Sequence, residues 1–108
     1  MGKSYRDLVV WQKAMDLVTA VYRITSAFPR EEIYGLTSQL RRAAVSVPSN
    51  IAEGQGRHGA AEFKHFLRQA NGSLMELETQ ILIAERLEHL RSEEASAVLT
   101  RAAEVGKI

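Results

Sequence analysis

The sequence contains no cysteine. No disulfide framework and no thiolate metal site can therefore exist, and a cytoplasmic protein is expected. Proline occurs only at Pro29 and Pro48, so long stretches are free to form helix. Aromatic residues are 6% of the chain, and they form no stacking platform for nucleic-acid bases. No apolar run approaches the roughly 18 residues of a membrane span. The opening MGKSYRDL has no apolar signal region. Its Met-Gly start lacks the Ser or Thr that myristoylation wants at position 6, where Arg6 stands. Strand-like alternation, internal repeats, linkers and low-complexity segments are all missing. The net charge is only +1, which excludes a binder that is basic all over.

What is present is one amphipathic domain spanning 1–108, with an ordinary apolar fraction of 45%. The spacing predicts helices over about 7–27, 34–54, 60–90 and 93–105. With short connections they give an all-α, antiparallel up-down-up-down four-helix bundle. A chain this short often gains further burial by oligomerising. The first helix carries two apolar stripes. Leu8, Trp11, Met15, Val18, Tyr22 and Thr25 form one; Val10, Ala14, Leu17, Val21, Ile24 and Phe28 form the other. Such a face is wider than a four-helix core needs. Either the helix is unusually buried or one stripe faces another subunit, and the small interior favours the second. Asp7 is the expected cap.

The second helix carries Leu36, Leu40, Ala43, Ala44, Val47 and Ile51 on one stripe, with Arg41 and Arg42 off it and exposed. Pro48 removes a backbone donor and crowds the Ala44 carbonyl, so a kink is expected there. The helix resumes through Glu53 and ends at Gly54 or Gly56. Ser46, Ser49 and Asn50 lie within reach of backbone groups freed by the kink. Gln55 to Gly59 is the turn, with Arg57 and His58 projecting and glycines supplying positive φ. In the long third helix, Ala70, Gly72 and Ser73 make a patch suited to close approach of another backbone. Ser92 is the expected cap of the last helix.

No phosphate-binding loop or dinucleotide fingerprint occurs, and Gly54-Gln55-Gly56 has no preceding strand. No serine nucleophile sits on a strained turn. Glu62 and His65 have the Glu-x-x-His spacing of half a di-iron site. The second half is missing, because Glu85 and His89 are four apart, and Lys64 would repel a cation. No metal or other cofactor and no small-molecule substrate is expected, and His58 and His89 are expected at the surface.

Charge is distributed unevenly. Between 36 and 75 lie Arg41, Arg42, Arg57, Lys64 and Arg68 against Glu53 and Glu62. Between 76 and 104 lie Glu76, Glu78, Glu85, Glu88, Glu93, Glu94 and Glu104 against Arg86, Arg91 and Arg101. The five cations of the first region are the candidate binding residues. Phosphate contacts are a natural use for them, as are salt bridges between subunits. Glu53 can pair with a nearby arginine.

The run SVPSNIAEGQGR followed by EFKHFLRQANGSLMELETQI resembles the signature of the four-helix-bundle protein family also called the S23 or 23S rRNA intervening-sequence protein family. YRDLVVWQKAMDLVTAVYRI is similar to its first helix and LTSQLRRAA to its second. The resemblance covers roughly Tyr5 to Leu90. It implies a bacterial, non-enzymatic four-helix bundle. Homopentameric rings occur in the family, and a related branch binds nucleic acid and a reverse transcriptase through basic surface. A homo-oligomer, with RNA or a nucleic-acid-associated protein as partner, is the expectation it brings. On this reading Pro48, Ser49, Asn50, Glu53, Gly54 and Gly56 serve the kink and turn.

Overall fold

A computed structural model describes residues 4–57 and 59–107. His58 and the start of the chain, on which two of the expectations above fall, lie outside the described residues. Four α-helices follow in order: α1 (Val9–Thr25), α2 (Leu36–Gln55), α3 (Ala60–Arg86) and α4 (Ser92–Gly106). Single 3-10 turns at Tyr5–Asp7 and Arg30–Glu32 precede α1 and α2. No strand occurs among the described residues. Each helix packs on two others in the cyclic order α1, α2, α3, α4, with α2 against α3 the most extensive pairing. The molecule is elongated, 47 × 23 × 18 Å.

The α2–α3 pairing keeps one register along its length. A Cβ built on Gly54 would meet Phe66 and Phe63. Ser46 Oγ lies 2.8 Å from Ser73 Oγ. Gln80 Nε2 donates to Gln39 Oε1 at 3.4 Å, and beyond the helix ends His89 Nε2 meets Glu32 Oε2 at 2.9 Å. As one residue number falls the other rises, so the two helices run in opposite directions.

The core is one cluster fed by all four helices. Leu17, Leu40, Leu77 and Ile81 are fully buried, and Val98 of α4 almost so. On α1 the second stripe is the more deeply buried, through Ala14, Leu17 and Val21; in the first, Thr25 is buried and Leu8, Trp11 and Val18 pack partly buried against the core, whereas Met15 and Tyr22 stay exposed.

Several local expectations need correction. The chain turns at Tyr5–Asp7 before α1 begins, so Leu8 occupies the cap position and Asp7 caps nothing. α3 ends at Arg86 rather than near Leu90, because Glu88 adopts φ 62° and reverses the chain. Position 91 precedes α4: Glu94 Oε1 accepts from the Arg91 N–H at 2.9 Å, while Ser92 Oγ donates to Glu85 instead of capping. Gly72 is exposed and a Cβ there would meet nothing within 4 Å, so no backbone approaches it.

The Ser46–Arg57 stretch is continuous helix as far as Gln55. Pro48 is buried inside α2. Asn50 Nδ2 donates to the Ser46 carbonyl at 2.8 Å and to its hydroxyl at 3.0 Å. Ser49 is exposed and joins no side-chain hydrogen bond among the described residues. Gly56 ends α2 with φ −79°, so it supplies no positive φ; Gly59, at φ 100°, does. Gly54 serves packing, not turning. An added Cβ would lie 2.8 Å from Phe66 Cβ and 3.0 Å from Phe63 Cδ1, distances that force a shift.

Candidate nucleic-acid interface

The five candidate cations divide into two groups. Arg57 follows the end of α2, and Lys64 and Arg68 lie in the first turns of α3. Arg41 and Arg42 lie further along α2, near the α1–α2 seam. The long α2–α3 register separates the groups. Position 42 falls between the Gln39–Gln80 and Ser46–Ser73 contacts, whereas Lys64 and Arg68 precede Ser73 on α3.

Arg57 is held from two sides. Its Nη2 donates to Glu53 Oε2 at 3.1 Å, one helical turn back. Its guanidinium sits 5.3 Å from the Phe66 ring centroid, where the ring face attracts a cation. About half of each charged side chain of the pair remains exposed, so water screens the bond and it contributes little to stability. Lys64 and Arg68 are exposed, four residues apart, and among the described residues neither joins an ion pair. Two like charges at that spacing repel mildly unless an anion lies between them.

Arg41 is not the exposed residue that its position off the core stripe suggests. It is half-buried against α1. Its Nε donates to Thr25 Oγ1 at 2.9 Å, its Nη2 to the Tyr22 carbonyl at 3.4 Å, and its guanidinium lies 4.5 Å from the Tyr22 ring centroid. Arg42 is exposed as expected. It borders the groove with Tyr22, Ile33 and Val45, and on its other side the polar cleft with Gln39, Ser73 and Glu76.

Position along a helix does not disclose two of these supports, Tyr22 under Arg41 and Phe66 under Arg57. A third pairing was also missed. His89, expected at the surface, is half-buried between Glu32 and the Phe28 ring, 5.6 Å from that ring's centroid. The Glu32 carboxyl is held below its ordinary value of 4.5, chiefly by the Leu36 N–H and then by the His89 side chain, against the upward push of burial. Glu94 is lowered likewise, chiefly by the Arg91 N–H.

Glu62 and His65 are both exposed, and His65 Nε2 lies 3.2 Å from Gln69 Nε2. Among the described residues no three His, Asp or Glu side chains converge on a possible metal site. No described helix is long and apolar enough to cross a membrane.

Fold and surface define a four-helix protein whose distinguishing features are an exposed cationic turn and a tightly packed α2–α3 hairpin. Residues 6–108 match the model of the family described as 23S rRNA-intervening sequence protein, and the chain belongs to that family. Its fold is similar to the crystal structure, at 1.70 Å, of a protein of unknown function from the S23 ribosomal protein family of Bacteroides thetaiotaomicron. The TM-score is 0.82 at 20% identity, over 92% of this chain and 93% of that one. No curated protein sequence matches the chain.

Proposed function

We propose that this protein is a non-enzymatic, self-assembling bundle of the bacterial cytoplasm that binds RNA, alone or within a nucleoprotein partner, through phosphate contacts from Arg57, Lys64 and Arg68. The observation that carries the reading is the exposed Lys64/Arg68 pair, one helical turn apart and without an ion-pair partner among the described residues, beside the braced Arg57. Three cations per copy give weak, salt-dependent binding. A homo-oligomer, a pentamer by family resemblance, multiplies it through avidity.

A mobility shift with single-stranded RNA at low salt tests this. Binding should fall as salt rises, and Lys64→Ala with Arg68→Ala should weaken it several-fold at unchanged helicity. Absence of any shift at low salt would refute the RNA reading. A second reading, an assembly protein without a nucleic-acid role, draws support from Arg41. That side chain is already engaged with Tyr22 and Thr25, and its neighbour Arg42 borders an apolar groove suited to a protein contact.

A further inference from the structure

A groove of about 580 Å³ runs between α1 and α2. Arg41 and Arg42 line it with Thr37 and Ser38, and no carboxylate does. Its apolar wall is made by Tyr22 and Val45, each 41% exposed, and by Ile33, 54% exposed. Along α2 the polar residues repeat at one-turn spacing, Thr37 below Arg41 and Ser38 below Arg42. Hydroxyls and guanidiniums therefore share one face of the helix.

Two of these groups lack the partners that burial normally brings. Thr37 is only 7% exposed, yet its hydroxyl joins no hydrogen bond among the described residues and is not sealed from solvent. The helical Thr19, Thr25 and Thr79 each donate to the carbonyl one turn back. For Thr37 that carbonyl belongs to Ile33, ahead of the helix, and the bond is not made. Arg41 is half-buried and has no carboxylate partner among the described residues. A guanidinium withdrawn from water without an anion is held at a cost that an anion would offset. Its Nε and Nη2 donate to Thr25 and Tyr22, which fixes the group in place, while Nη1 has no partner among the described residues. Arg42 is exposed beside it. Glu76 borders the cleft on its other side, but the two form no ion pair. The start of α2 adds nothing to this cluster, because Glu32 Oε1 already accepts from the Leu36 N–H. The donors lie along the side of the helix.

We infer that this groove binds a small organic phosphate monoester. The phosphate lies against Arg41, Arg42 and the Thr37 and Ser38 hydroxyls, and the organic body lies against Tyr22, Ile33 and Val45. A phosphate offers more acceptor oxygens than a carboxylate, so guanidiniums and hydroxyls can bind it together. The apolar wall gains only from a ligand with apolar surface to bury, which favours an ester over the bare ion. Arg41, already fixed by Thr25 and Tyr22, needs little further ordering when the ligand arrives. The site is separate from Arg57, Lys64 and Arg68, and it stands whether or not those residues take RNA.

Titration of the isotope-labelled full chain with phenyl phosphate, followed by the amide and arginine side-chain resonances, tests the site. Saturable shifts are expected at Thr37, Ser38, Arg41 and Arg42, with a Kd about tenfold below that for inorganic phosphate. Phenol, which lacks the phosphate, should cause none. Arg42→Ala should weaken phenyl phosphate by about tenfold. Thr37→Val keeps the shape and removes a hydroxyl that no bond of the fold uses; it should weaken binding several-fold at an unchanged melting temperature. Lys64→Ala with Arg68→Ala should leave the Kd as it was. Adenosine monophosphate serves as a second probe, and whichever ester binds tighter identifies the body that the apolar wall accepts. Absence of saturable shifts with both esters up to about 10 mM overturns the site, including the case where a second copy covers the groove. Equal affinity for inorganic phosphate also overturns it, as an adventitious ion only. So does an equal loss in the Lys64/Arg68 variant, which would reduce the effect to general charge attraction.

Discussion

Gly54 and Gly72 both lie inside helices, and the regions around them differ in kind. Gly54 belongs to the α2–α3 seam, where small and polar residues meet across the helices: Phe63 and Phe66 against Gly54, Ser73 against Ser46, Gln80 against Gln39. Gly72 belongs to the outer face of α3, with Lys64, Arg68, Met75 and Leu82, none of which the fold requires to be what it is. The seam sets the distance and register of two helices. The outer face carries residues that the monomer does not use, and two of the cations proposed for RNA, Lys64 and Arg68, are among them.

This contrast can be broken most severely at the seam. Gly54→Val pushes a branched side chain into Phe66 Cβ, which is anchored to its own backbone, and should cost about 3 kcal/mol, read as a lower urea midpoint. Gly72→Ala should act in the opposite direction. It meets no neighbour, and alanine's helix propensity should raise stability by about 1 kcal/mol in the same measurement. Lys64→Ala with Arg68→Ala should move stability by no more than about 0.5 kcal/mol, so any loss of RNA binding in that variant reports on contact and not on folding. A destabilisation well above this would place the pair in the fold's own support.

The last effect is silent at neutral pH. The Glu32 carboxyl is held below 4.5 by the Leu36 N–H and then by His89, and Glu94 chiefly by the Arg91 N–H. A depressed carboxyl stabilises the fold above its unfolded value, and that contribution disappears as pH falls through the folded value. Thermal melts should therefore show stability falling below about pH 4.5. Glu32→Gln and Glu94→Gln should each flatten part of that slope. A slope unchanged in both variants would mean that other carboxylates control it.

Much of the fold was legible because helical periodicity is a property of the chain itself. The number of helices, the α2 core stripe and the start of α3 at Ala60 all follow from spacing. What spacing could not decide was how α1's two stripes divide its burial, since both have the right period and only the packing of α2 and α4 leaves Met15 and Tyr22 outside while Leu17 and Val21 are fully enclosed. The α3–α4 turn was also hidden. It reverses at Glu88, a residue with no special preference for positive φ, so no glycine marks the place. At the candidate site the arginines were visible and their partners were not. Tyr22 and Phe66 are distant in sequence or lie on another helix, and nothing local announces that they lie under a guanidinium. Glycine is common in turns, so the sequence alone points Gly54 to one; its close approach to Phe66 is a tertiary fact.

The constant register between α2 and α3 has a kinetic consequence. Its contacts join residues separated by about ten positions at Gly54, by 27 at Ser46–Ser73, by 41 at Gln39–Gln80 and by 57 at Glu32–His89. Each closes a larger loop than the last, unless the preceding one has already formed. The hairpin is therefore expected to assemble from the Gly56–Gly59 turn outward, like a zipper with one end fixed. Fractional effects of mutation on the folding rate should decline from Leu74 toward Ile81, and a flat or reversed profile would contradict this order. The cationic turn would then be the first part of the molecule to take shape, and the histidine–glutamate pair at the other end the last part of the hairpin to close.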